Sequence, residues 1–157
     1  MTHDHTRRGW RATLVAAMTV LAVQTTSVVH AQSNALTFDG DVAVFTQVVK
    51  ADKTADFEQL MRRVQQALAA SDNPQRKQQA QGWKVVRVAQ PLADGVAYFH
   101  LIQPVVRGAD YSILPILYDA FPTERQAMYD LYKDVLVKNL SLATGTLAVD
   151  LSAPVPA

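Results

Sequence analysis

The stretch Trp83 to Gln103, WKVVRVAQPLADGVAYFHLIQ, decides the fold. Two runs dense in β-branched and aromatic residues, Trp83 to Gln90 and Val96 to Gln103, flank Pro91-Leu92-Ala93-Asp94-Gly95. That turn composition, with an Asp-Gly pair able to supply a positive φ, predicts a β-hairpin. Its place in the chain matters as much as its shape, because a helical pattern lies on either side of it.

Upstream, Val42 to Lys50 (VAVFTQVVK) is bounded by Asp39-Gly40-Asp41 and Ala51-Asp52-Lys53 and reads as a mostly buried strand. Phe57, Leu60, Met61, Val64 and Leu68 then recur at three- and four-residue spacing, which predicts an amphipathic helix capped by Thr54 or Asp52. Asp72-Asn73-Pro74 ends it, and a short polar helical piece through Arg76 to Gln81 stops at Gly82. Downstream, Pro104 to Asp110 reads as a loop, and Ser112 caps a short helix through Leu117. Thr123-Glu124-Arg125-Gln126 has the capping-box pattern and opens a second main helix, with an apolar face of Ala127, Met128, Leu131, Tyr132, Val135 and Leu136 and an end near Asn139. Gly145 to Leu151 is expected to close the domain as a strand, followed by a frayed tail over residues 152–157.

The order β-α-β-β-α-β is that of a ferredoxin-like α+β fold: one four-stranded antiparallel sheet with both main helices on one face and the other face open. The predicted domain runs over residues 42–151, after a short N-terminal segment at 32–41.

Residues 1–31 are read as an export address and not as part of the fold. A polar start with Arg7, Arg8 and Arg11, the apolar run Ala12 to Val23, and Val29-His30-Ala31 before a cut make the three regions of a secretory signal peptide. The apolar run is shorter than the roughly 20 residues that cross a bilayer as a helix. Thr6-Arg7-Arg8-Gly9-Trp10 also resembles a twin-arginine export motif, although Arg11 stands where that motif prefers an apolar residue. A periplasmic or secreted location follows as the expectation, with no membrane attachment after cleavage. No cysteine is present to carry a lipid or a disulfide.

Removing the leader changes the inventory. The whole chain has 157 residues, 49% of them hydrophobic and 18% charged, four histidines and a formal charge of +1. The leader takes three arginines and one aspartate with it, so the formal charge becomes −1, and only His100 and Trp83 remain of the histidines and tryptophans. Such a balance lacks the basic excess of a nucleic-acid footprint. One histidine without cysteine also falls short of the usual zinc ligand set, so no metal site is expected.

Alternation in the hairpin separates Ala97, Phe99 and Leu101 from Tyr98, His100 and Ile102, and Val86 and Val88 from Trp83, Val85 and Arg87. With the plainer apolar sets under the helices, Trp83, Arg87, Tyr98 and His100 are expected together on the open face, as a subunit interface or a ligand site. His100, with Tyr98 beside it, is the candidate for general base or axial haem ligand, set against a hydrogen-bonded interface histidine. Arg87 offers a fork for an anion or an interface carboxylate, and Trp83 a ring for stacking or packing. Tyr111, Tyr118 and Asp119 are candidates for a pocket beside the first helix. Ser112 and Ser141 have no nucleophile-elbow context, and Gly108 and Gly145 are isolated.

Over Val44 to Leu68, Gly82-Trp83 and the second hairpin strand, the chain resembles the dimeric α+β barrel proteins, which include the antibiotic-biosynthesis monooxygenase-like group. The matching features are a strand, the Lys50 to Lys53 loop, an aromatic residue, Phe57, near the helix start, and a glycine, Gly82, before the second strand. The segment Tyr111 to Phe121 departs from the simplest pattern. The resemblance implies a homodimer closed through two open sheet faces and a small apolar or aromatic ligand near the first helix. Its range of activities runs from cofactor-free oxygenases and haem-degrading enzymes to proteins with none known. The function expected is therefore binding or assembly, with an oxygenase or haem-handling enzyme using His100 and a tyrosine as the alternative.

Overall fold

The computed structural model describes residues 35–153; the expected leader and residues 154–157 lie outside the described residues. Within them the chain is an α+β domain with a four-stranded antiparallel sheet and four α-helices. Strand β1 (Val42–Val49) leads through a 3-10 turn (Ala51–Lys53) into α1 (Thr54–Ala70), then α2 (Pro74–Gly82). Strands β2 (Trp83–Arg87) and β3 (Val96–Ile102) form the hairpin, followed by α3 (Ile113–Ala120), α4 (Arg125–Val135) and β4 (Leu136–Gly145). The sheet order is β2-β3-β1-β4, and each neighbouring pair is antiparallel.

The hairpin, α1 and α2 form where residue periodicity places them. Asn73 caps α2 by accepting from the Gln75 N–H at 2.9 Å, with Pro74 in the first turn, where its missing N–H costs nothing. The tip is closed by Leu92 and Gly95, which bond to each other in both directions. A side chain at Gly95 would collide with the Val49 carbonyl oxygen, so the turn needs glycine for close approach.

Three local expectations are corrected. The α1 start has Lys53 at its N-cap position and no side-chain cap, because the preceding 3-10 turn already engages the chain through the Lys53 N–H to Lys50 carbonyl bond. The capping box at Thr123 does not form. Glu124 instead takes both guanidinium nitrogens of Arg63 at 2.9 Å and so ties α4 to α1. The final strand is Leu136–Gly145, so it ends at the residue where the predicted strand begins, and residues 146–153 form no strand. There β1 offers a free edge, so Leu136 to Gly145 takes up its ladder directly after α4, with two irregularities in register.

The faces of the hairpin are the reverse of the expectation. Val96, Tyr98, His100 and Ile102 are buried beneath the helices, while Phe99 and Leu101 are 40% and 37% exposed on the other face, with Val86 of β2 at 42%. Register puts Phe45 opposite His100 and Gln47 opposite Tyr98, so all four belong to the covered side. Phe57 of α1 and Val135 of α4 pack there against Val49, Val96 and Tyr98. A second cluster, Leu60, Val64 and Leu68 with Ile113, Leu117 and Met128, joins α1 to α3 and α4. The N-terminal segment is part of the fold: Phe38 is buried against Phe45 and Tyr111, and the Leu36 N–H donates to Asp110.

Leu60 is fully buried at the centre of the α1 cluster. Leu60→Ala should lower the unfolding free energy by about 2–5 kcal/mol, measured by urea denaturation. A loss below about 1 kcal/mol would contradict its place in a tightly packed core.

Candidate functional site

Between α1, the end of α2 and the edge strand β2 lies a cavity of about 410 Å³. Its floor is apolar: Phe57, Met61, Val64 and Leu68 come from α1, and Trp83 and Val85 from β2. Its rim is polar: Glu58, Arg62 and Gln65 from α1 face Arg87, the last residue of β2. The helix period produces this division, because positions 57, 61, 64 and 68 share one stripe and 58, 62 and 65 the adjacent one. Gly82 sets the entry of β2, since a side chain there would meet the Pro104 carbonyl oxygen at 2.6 Å.

Trp83, Arg87 and Tyr98 all line this cavity, and His100 sits directly behind Trp83. They are brought together as expected, though under α1 and not on the open face. The Tyr98 hydroxyl donates to Glu58 at 2.8 Å, and Arg87 stands 3.6 Å from the same carboxylate. Burial in the first place, and then the Glu58 carboxylate, push the Tyr98 phenol up to about 12. It is a fixed donor at physiological pH.

His100 is fully buried. The indole Nε1–H of Trp83 donates to its Nδ1 at 3.1 Å. Indole nitrogen can only donate, so Nδ1 holds the ring's one lone pair and Nε2 carries the proton. Nε2 has no hydrogen-bond partner among the described residues. Phe45 stacks on the ring at 4.0 Å and Phe57 meets it edge-on at 6.2 Å. Burial pushes the imidazole down to about 3, so it stays neutral through the physiological range. An axial haem ligand needs a free nitrogen lone pair, and here the only one is engaged by Trp83. The residues present do not fit haem ligation through His100. A general base at neutral pH is disfavoured by the same hydrogen bond and the same burial.

The other three predicted residues lie elsewhere. Tyr111 is buried on the far side of Trp83, ring centroids 5.5 Å apart, and its hydroxyl accepts from the Val106 N–H at 2.9 Å. Tyr118 packs on α3 beneath the Arg125 guanidinium. Asp119 borders a second cavity of about 410 Å³ between the α1 end and α3, 3.6 Å from Arg76. Arg76 is anchored there by the Asp110 carbonyl at 2.5 Å and Gln79 at 3.2 Å, which makes it a clamp between α2 and the 110 loop. Sequence reasoning missed Glu58, Arg62 and Gln65. The signal was their polar stripe beside the apolar stripe of the first helix.

No family model, curated protein or solved structure matches the chain.

The His100 environment predicts a pH effect of definite sign. The folded ring titrates near 3 and the unfolded one near 6.5, so the unfolded chain binds more protons between those values. Stability from this group is complete above about pH 6.5 and falls as pH drops, at up to ~1.4 kcal/mol per pH unit. From pH 6.5 to 5, urea unfolding of the wild type should lose about 1.5 kcal/mol more than that of His100→Gln. Parallel curves over that interval would refute a buried neutral imidazole.

Proposed function

We propose that this chain is an exported small-ligand-binding protein whose ligand, apolar or aromatic in its main part, occupies the cavity between α1 and β2. The observation that carries the reading is the pairing of an apolar floor with a polar rim in a space of about 410 Å³, within the range of small-molecule sites. The export part rests on the leader pattern of residues 1–31. The oxygenase or haem-handling alternative is weaker, because His100 and Tyr98 are held at opposite extremes of titration and neither exchanges a proton near neutrality.

The domain is further read as ferredoxin-like and as a homodimer of the dimeric α+β barrel kind. Supporting the first is the order β2-β3-β1-β4 with every neighbour antiparallel. Supporting the second is the uncovered sheet face, where Phe99, Leu101 and Val86 present apolar side chains from adjacent strands. A second copy meeting the same face would bury them in an isologous contact.

Two measurements test these readings. Neutral N-phenyl-1-naphthylamine should bind saturably at one site per chain, and Ala80→Trp, which fills the cavity from α2, should weaken that binding at least tenfold with unchanged circular dichroism. No saturable binding, or equal affinity in the variant, would overturn the cavity reading. For assembly, light scattering at micromolar concentration should give a dimer for the wild type and a monomer for Phe99→Lys. A monomeric wild type, or a dimer untouched by Phe99→Lys, would overturn the sheet-face interface.

A further inference from the structure

The rim of the cavity is not electrically neutral. Three charged side chains border it: Glu58, Arg62 and Arg87. The carboxylate of Glu58 is already occupied, because the Tyr98 hydroxyl donates to it at 2.8 Å and Arg87 lies 3.6 Å away. Arg62, one helical turn beyond Glu58, forms no hydrogen bond or ion pair within the described residues. Arg87 is 53% exposed, and its contact with Glu58 is longer than a hydrogen bond, the kind of solvent-screened surface pair that an incoming anion can readily displace. Two guanidinium groups thus stand at the mouth with hydrogen-bonding capacity to spare, beside the neutral amide of Gln65. Below them the floor is hydrocarbon and indole: Met61, Val64, Leu68 and Trp83.

We infer that the cavity takes an amphipathic anion: an aryl or alkyl tail on the Trp83 floor, with a carboxylate head held by Arg62 and Arg87 at the mouth. The inference rests on the cavity reading above and adds the charge class of its ligand. A guanidinium offers paired N–H donors that match a carboxylate's two oxygens, so an incoming anion forms charge-assisted bonds that Arg87 lacks at 3.6 Å from Glu58. A neutral ligand would leave both guanidinium groups to water. A cation would have to compete with Tyr98 and Arg87 for the single carboxylate, and it would meet a net positive rim.

The test uses three probes that share one tail and differ in charge: 2-naphthoate, 2-naphthamide and 2-naphthylmethylammonium, titrated calorimetrically into the full chain at low salt. The naphthoate should bind at least tenfold more tightly than the amide, with the ammonium weakest. The preference should collapse to within about twofold in the Arg62→Gln/Arg87→Gln double variant, whose circular dichroism and urea midpoint should match the wild type and so report a folded domain. Equal affinity for naphthoate and amide, or tighter binding of the ammonium, would overturn the anion inference and leave the cavity reading standing. Failure of all three probes and of the neutral amine would overturn both.

Discussion

The hydrogen bond from the Trp83 indole to the His100 imidazole is the interaction on which the rest of the arrangement depends. It spans the two strands of the hairpin, and His100 is buried beneath the helices with no solvent to serve as a substitute partner. An imidazole placed there without any partner would forfeit two hydrogen bonds; with Trp83 it forfeits one, a cost of about 1–3 kcal/mol that the stacking of Phe45 and the edge of Phe57 help to offset. Once Trp83 must reach His100, β2 is fixed in rotation about its own axis. Val85 and Arg87 then point to the same side as Trp83, toward α1, and the cavity exists because those three side chains form one of its walls.

That constraint also explains which features were legible in the sequence. Periodicity of two shows that Tyr98, His100 and Ile102 share a face, and that Trp83, Val85 and Arg87 share another of the same kind. It cannot say which face turns inward when both carry apolar residues, as here, where Val86, Phe99 and Leu101 oppose Val85, Val96 and Ile102. The decision lies with partners distant in the chain. Glu58 receives the Tyr98 hydroxyl across 40 residues, and Gln47 donates to Tyr132 across 85, so the polar members of the inner set are each met from a helix or a neighbouring strand. Composition alone made the polar and aromatic set look like a surface. A partner for at least one polar atom of each makes it an interior, with Gln47 Oε1 and His100 Nε2 left unpaired among the described residues.

The C-terminal half differs from its local sequence pattern for a related reason. Val135 and Leu136 complete a helical stripe, while Leu136, Leu140 and Leu142 also suit a strand, so the local pattern supports both assignments over the same few residues. The ladder with β1 resolves it, and the two register irregularities show that the strand bends to take an edge it does not match residue for residue. Glu124 is a comparable case. It stands at the N-cap position of α4 without capping it, and its paired contact with Arg63 joins α4 to α1, the helix whose position decides whether the cavity is covered.

The two surfaces of interest are alternate residues of the same strands. Val85 and Tyr98 line the cavity, and Val86 and Phe99, each the next residue along, face outward from the sheet. The pleat would therefore keep a ligand under α1 and a partner on the outer face from touching one another, were both to rest on β2 and β3. Binding and assembly need not compete for side chains in such an arrangement. It also places the charged groups where they can discriminate: Arg62 and Arg87 lie at an open mouth, where water still screens them and a head group can exchange, while the uncharged, hydrogen-bonded Trp83–His100 pair lies below. An arginine sunk into that floor would carry a desolvation cost of several kcal/mol. Set at the rim, it can select a ligand's charge without burdening the stability of the fold.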